Sequence, residues 1–131
     1  MKHPPALVLA LLLLAAVPAD AHHSLAYYNT ASYRTIEGTV KSFEWSNPHT
    51  SLTLLVETEA GIVEEWKFEG GNPRRLDGEG FHSNAISEGE RIAVHYNAKR
   101  DGSIGGFFLA VTKSDGIHYA LRRFRGLRQE Q

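Results

Sequence analysis

"RTIEGTVKSFEWSNPHTSLTLLVET", residues 34–58, decides the fold. Its first part alternates Ile36, Gly38 and Val40, then slips phase to reach Phe43 and Trp45, as a strand does across a bulge or sharp bend. Gly38 suits a strongly coiled strand. Asn47 and Pro48 are turn formers, and a proline cannot donate to a central ladder, so "SNPH" reads as a turn. Beyond it Leu52, Leu54 and Val56 share one face of a second strand.

The same alternation continues outward. "EAG" makes the next turn, and "IVEEWKFEG" sets Ile62, Glu64, Trp66 and Phe68 on one side of a third strand, with Trp66 and Phe68 as core and Glu64 at a rim or paired. "NPRRLDGEG" breaks the pattern: Asn72 is a helix cap, Pro73 a first helical residue, and Gly78 and Gly80 stop signals after Leu76. "RIAVHYNAKRDGSIGGFFLAVTKSDG" resumes alternation at Ile92, Val94 and Tyr96, turns at "KRDG" and returns through Phe107, Leu109 and Val111. Five strands with one short helix between the third and fourth predict an all-β chain folded as a small five-stranded OB-like barrel, with an open meander or a half-barrel of other topology as the alternative.

In front of this domain stands a different composition. Lys2 is followed by the uncharged apolar run Ala6 to Ala16 and by Pro18, the pattern of a secretory signal peptide. Eleven apolar residues fall short of the roughly 20 a membrane helix requires, so no permanent membrane anchor is expected. The expected organisation is a signal peptide at 1–21, a leader at 22–33, the barrel domain at 34–114 and a basic tail at 115–131. Such a chain works in the periplasm or outside the cell. The tail carries Arg122, Arg123, Arg125 and Arg128, read as a solvated end against the alternative of docking on an anionic surface.

Composition excludes several function classes. The chain has no cysteine, hence no disulfide, thiolate metal site or cysteine nucleophile. Net charge is −1, too balanced for nucleic acid as a general partner. G-x-S-x-G, H-E-x-x-H and glycine-rich phosphate loops are missing, and Glu64 and Glu65 point to opposite faces of a strand, so the chain is not read as an enzyme.

The histidines carry the functional reading. A cut after Ala21 makes His22 the first residue, whose free amine and imidazole chelate one copper ion in a T-shape when a second imidazole arrives from elsewhere, a histidine brace. His49 in "WSNPHT" is the candidate for that imidazole. His23 binds separately or orients the site. A cut after Ala19 instead exposes "DAH", which wraps Cu(II) or Ni(II) in a square plane without any fold. In the bland reading, His22 and His23 bind nothing, Asn47 and Pro48 only fix a turn, Trp45 covers one barrel end and His49 bonds a carbonyl. His82, His95 and His118 show no ligand spacing and read as surface or singly hydrogen-bonded residues.

"AHHSLAYY", "EGTVKSFEWSNPHTSLTL", "GIVEEWKFEGGNPRRLDGEG" and "EGERIAVHYNAKRDGSIGGFFLAVTKSDG" together resemble a family of small exported bacterial proteins classed as a domain of unknown function. The resemblance runs from Ala21 to about Gly116, and its most specific parts are the A-H-H-S start and the W-x-N-P-H turn. It implies that His22, His23, Ser24, Trp45, Asn47, Pro48 and His49 are the positions to watch, with Gly38, Trp66, Leu76 and Gly89 as scaffold. It implies no activity. Glu90 departs from the G-D common in similar proteins, and the tail beyond Ala120 lies outside the shared part.

Two expectations of different class follow. One is a copper-binding carrier or sensor with His22 and His49 as ligands. The other is a metal-free OB-like module that grips a peptide, a glycan or an envelope protein through Trp45 and Asn47 at the barrel mouth.

Overall fold

The computed structural model describes residues 24–126. A single 3-10 turn at Ser24–Tyr27 leads into β1 (Arg34–Glu44), β2 (Ser51–Glu57) and β3 (Val63–Glu69), then α1 (Pro73–Gly78), β4 (Arg91–Ala98), β5 (Gly106–Lys113) and β6 (His118–Ala120). A further 3-10 turn covers Arg122–Phe124. No helix among the described residues is long and apolar enough to cross a membrane.

The strands form one mostly antiparallel sheet in the order β3-β2-β1-β4-β5-β6. The sheet also closes on itself, because Phe68 and Glu69 of β3 pair in parallel with Gly106 and Phe107 of β5. Five strands thus make a ring with the one short helix between β3 and β4, the predicted order. The β3 to β5 closure is only two residue pairs long, and it lies beside the end of β3 that carries Glu69.

β1 serves two partners. Its first half pairs with β4 and its second with β2, with a bulge between Val40 and Ser42 where the phase of the sequence slips. Gly38 lies tight against β2: a Cβ there would lie 2.7 Å from the Leu55 carbonyl oxygen. No larger residue fits without moving a strand. α1 is built as its letters demand, with the Asn72 side chain accepting from the Arg75 amide and Pro73 in the first turn.

The core collects Val40, Leu52, Leu54, Val56, Phe68, Leu76, Phe81, Val94, Phe108 and Val111, all buried. β2 alternates buried and half-exposed positions, whereas β4 and β5 are buried almost throughout. Continuous burial marks strands covered on both faces.

Two departures from the sequence expectation concern the edges. β6 lies in the stretch read as a tail, pairs with β5, and is followed by the buried Leu121. Three residues are too few to show a period of two. Ile62, expected on the inner face of β3, precedes the strand and is 62% exposed.

Candidate functional site

The 3-10 turn at the start of the described chain fixes the leader on the sheet. Asn29 donates its amide to the Ala98 carbonyl, and the Arg100 amide donates to Tyr27 O. The Arg100 guanidinium adds a hydrogen bond to Tyr28 O at 3.0 Å. Between these clamps Tyr28 is driven inward, 6% exposed, with its ring 5.7 Å from that of Phe107. A buried phenol needs a polar partner, and its hydroxyl donates to Glu69 Oε2 at 2.8 Å. Burial first, and the adjoining Glu69 carboxylate second, push the Tyr28 phenol far above its ordinary pKa. It remains a neutral donor.

The other oxygen of the same carboxylate faces the turn between β1 and β2. Glu69 Oε1 stands 3.3 Å from His49 Nδ1. His49 holds that place because its neighbour Thr50, fully buried, is tied to the end of β3: Thr50 N and Oγ1 both donate to Gly71 O, and Gly70 N donates to Thr50 O. A cavity of about 240 Å³ opens here, lined by Tyr28, His49, Lys67, Glu69 and Lys99 among others. A second, of about 370 Å³, adjoins it through Tyr28 and Lys99 and runs under the leader residues Ala26 and Tyr27.

This arrangement has a definite chemical capacity. A carboxylate beside Nδ1 favours the proton on that nitrogen and leaves the lone pair on Nε2, the usual support for a metal-binding imidazole. His49 is 42% exposed by side chain, so the ring is reachable from solvent. Among the described residues no three metal-ligating side chains converge. His22 and His23 lie outside the described residues.

The other expected contacts are distributed differently. Trp45 is half-buried and packs edge-on against Phe43, at 5.8 Å, as a cover for the core. Asn47 is exposed, and the Asn47–Pro48 peptide is cis. Neither Trp45 nor Asn47 lines the two cavities. Glu64 is paired as anticipated, accepting from the Trp66 indole at 2.9 Å.

Tyr28, Glu69, Lys67 and Lys99 were not singled out by sequence reasoning. The usable signal was the charge of "KFEGG": a glutamate ending a strand beside two glycines, where backbones approach closely, is set to face a neighbouring element. His95 and His118, which show no ligand spacing along the chain, are neighbours in the fold, and each ring meets a threonine hydroxyl. His95 is 2% exposed and the two rings are 6.1 Å apart. His82 meets Asp77 at the surface, 2.6 Å away.

Comparison with known proteins adds the family. No curated protein matches the chain. Residues 10–108 match a family of unknown function, DUF6152, a stretch that takes in both the His22–His23 pair and the His49 turn. On that match across most of its length, the chain belongs to the DUF6152 family.

Proposed function

We propose that the chain is exported, that cleavage after Ala21 frees the amine of His22, and that His22 and His49 together bind one copper ion. The observation that carries this reading is the double use of Glu69, which holds the leader through Tyr28 and faces the His49 turn. The leader and the turn are far apart in sequence, and a single carboxylate brings them to one place. In the sequence His22 stands two residues ahead of Ser24, where the described leader begins. Nitrogen donors of this kind suit copper, which heads the divalent affinity series. His23 serves as an orienting or auxiliary imidazole.

The test is the intact mass of the exported protein, followed by Cu(II) titration of the same sample against His22→Ala and His49→Ala. Tight one-to-one binding by a chain beginning at His22, weakened by both substitutions, supports the reading. A different first residue, or unchanged binding without His49, defeats it.

A second reading is favoured by the two adjoining cavities, which share Lys99 and run beneath the 70% exposed Tyr27. There the chain is a metal-free binding module for a peptide or envelope protein, and ligand loss follows Lys99→Ala and not His22→Ala.

A further inference from the structure

On the far side of β4 from the ring interior, His95 is paired in register with Thr35 of β1, and His118 of β6 with Thr112 of β5. Each ring is fixed by its partner: Thr35 Oγ1 lies 2.9 Å from His95 Nδ1 and Thr112 Oγ1 lies 2.8 Å from His118 Nδ1. Both Nδ1 atoms are thus engaged by hydroxyls, and Nε2 is the nitrogen through which either ring can ligate. His95 is 2% exposed, and its buried Nε2 has no hydrogen-bond partner. A polar atom in that position loses its hydration without replacement.

We propose that His95 and His118 form a second, two-coordinate site for a monovalent copper-group cation, Cu(I) or Ag(I). The spacing fits: two metal–nitrogen bonds of ~2.0 Å each, added to the distances from ring centre to nitrogen, come to about the 6.1 Å that separates the centroids. The His95 side fits as well. The Thr35 hydroxyl and the Tyr33 ring, edge-on to His95 at 6.5 Å, are neutral groups, so a single positive charge is easier to accommodate there than a double one. The threonines play the orienting part that outer partners play around bound metals. This site is independent of His22 and His49.

The experiment is titration of the full chain with Ag(I), redox-inert under these conditions, while the histidine ring nitrogens are followed by 15N NMR. The expected result is one bound equivalent that moves the Nε2 resonances of His95 and His118 and survives His49→Ala. His118→Gln, on the short edge strand β6, abolishes that equivalent, and Thr112→Val weakens it by about 10- to 100-fold. Movement confined to other histidines, or an unchanged equivalent in His118→Gln, overturns the proposal. The wild-type spectrum decides the matter even where a variant folds poorly.

Discussion

The Tyr28 hydroxyl donates to Glu69 Oε2 at 2.8 Å across 41 positions of chain, and this bond fastens the leader to the end of β3. Tyr28→Phe keeps the ring against Phe107 and removes only the donor. The expected loss is about 1 kcal/mol, the ordinary worth of one such bond, since Glu69 is still partly in contact with water. Faster amide exchange at Asn29 and Arg100, whose bonds flank Tyr28, is expected with it. Urea unfolding and amide exchange of the variant measure both. Unchanged exchange at those two amides would mean that the backbone clamps alone hold the leader.

Glu69 is also expected to tune the proposed copper site without touching the ion. Removing an outer-shell carboxylate costs about 10- to 100-fold in metal affinity, so Glu69→Ala is expected to weaken Cu(II) binding by that factor. Glu69→Gln retains an oxygen opposite His49 Nδ1 and loses less. Competition titration against a chelator of known strength reads the difference. Equal affinities in wild type and Glu69→Ala would detach Glu69 from metal binding, whatever the fate of His49.

Local patterns made most of the ring legible. The phase slip in "TVKSFEW" is the bulge of β1, Asn72 and Pro73 start α1, and the alternation of Leu52, Leu54 and Val56 is the inner face of β2. Each of these is encoded within a few residues of itself. The site was legible only at His49, because Glu69 and Tyr28 acquire their roles from a pairing that closes long loops. The same reason hid His95 and His118: β4 and β6 are both neighbours of β5, and no spacing along the chain announces that. Trp45, expected either to cover one barrel end or to serve as a binding aromatic, is half-buried with its ring 5.8 Å from that of Phe43.

His95 makes stability depend on pH in a definite direction. Burial, with His118 nearby, lowers its pKa in the folded state from the ordinary 6.5. Above pH 6.5 the ring is neutral in both folded and unfolded chains and contributes nothing to the pH slope. Below it the unfolded chain takes up a proton that the folded chain refuses, so stability falls with falling pH until the folded-state value is passed. The slope contributed is at most about 1.4 kcal/mol per pH unit. Urea midpoints for wild type and His95→Gln, measured from neutral pH down to the start of carboxylate titration, are expected to converge as the pH falls. Parallel curves would show that His95 gains its proton as easily folded as unfolded.

Gly70 and Gly71 are adjacent and predict opposite outcomes. A Cβ on Gly70 would lie 2.2 Å from the Phe108 ring and 2.4 Å from Thr50 Oγ1, and Phe108 is fully buried with no room to withdraw. Overpacking of this kind costs about 1–3 kcal/mol, and each kcal/mol lowers the Tm of a domain this size by roughly 4–8 °C. A Cβ on Gly71 meets nothing closer than Leu76 Cδ2 at 3.6 Å, so Gly71→Ala stays within about 0.5 kcal/mol of wild type. The position of Thr50 links packing to the site, since Thr50 carries His49 on its preceding peptide. Gly70→Ala is therefore expected to lower both Tm and Cu(II) affinity, and Gly71→Ala neither. Thermal melts and titrations of the two variants provide the comparison. A Gly70→Ala protein that melts with wild type would mean that the Phe108 ring yields to the added methyl and does not hold the His49 turn in place.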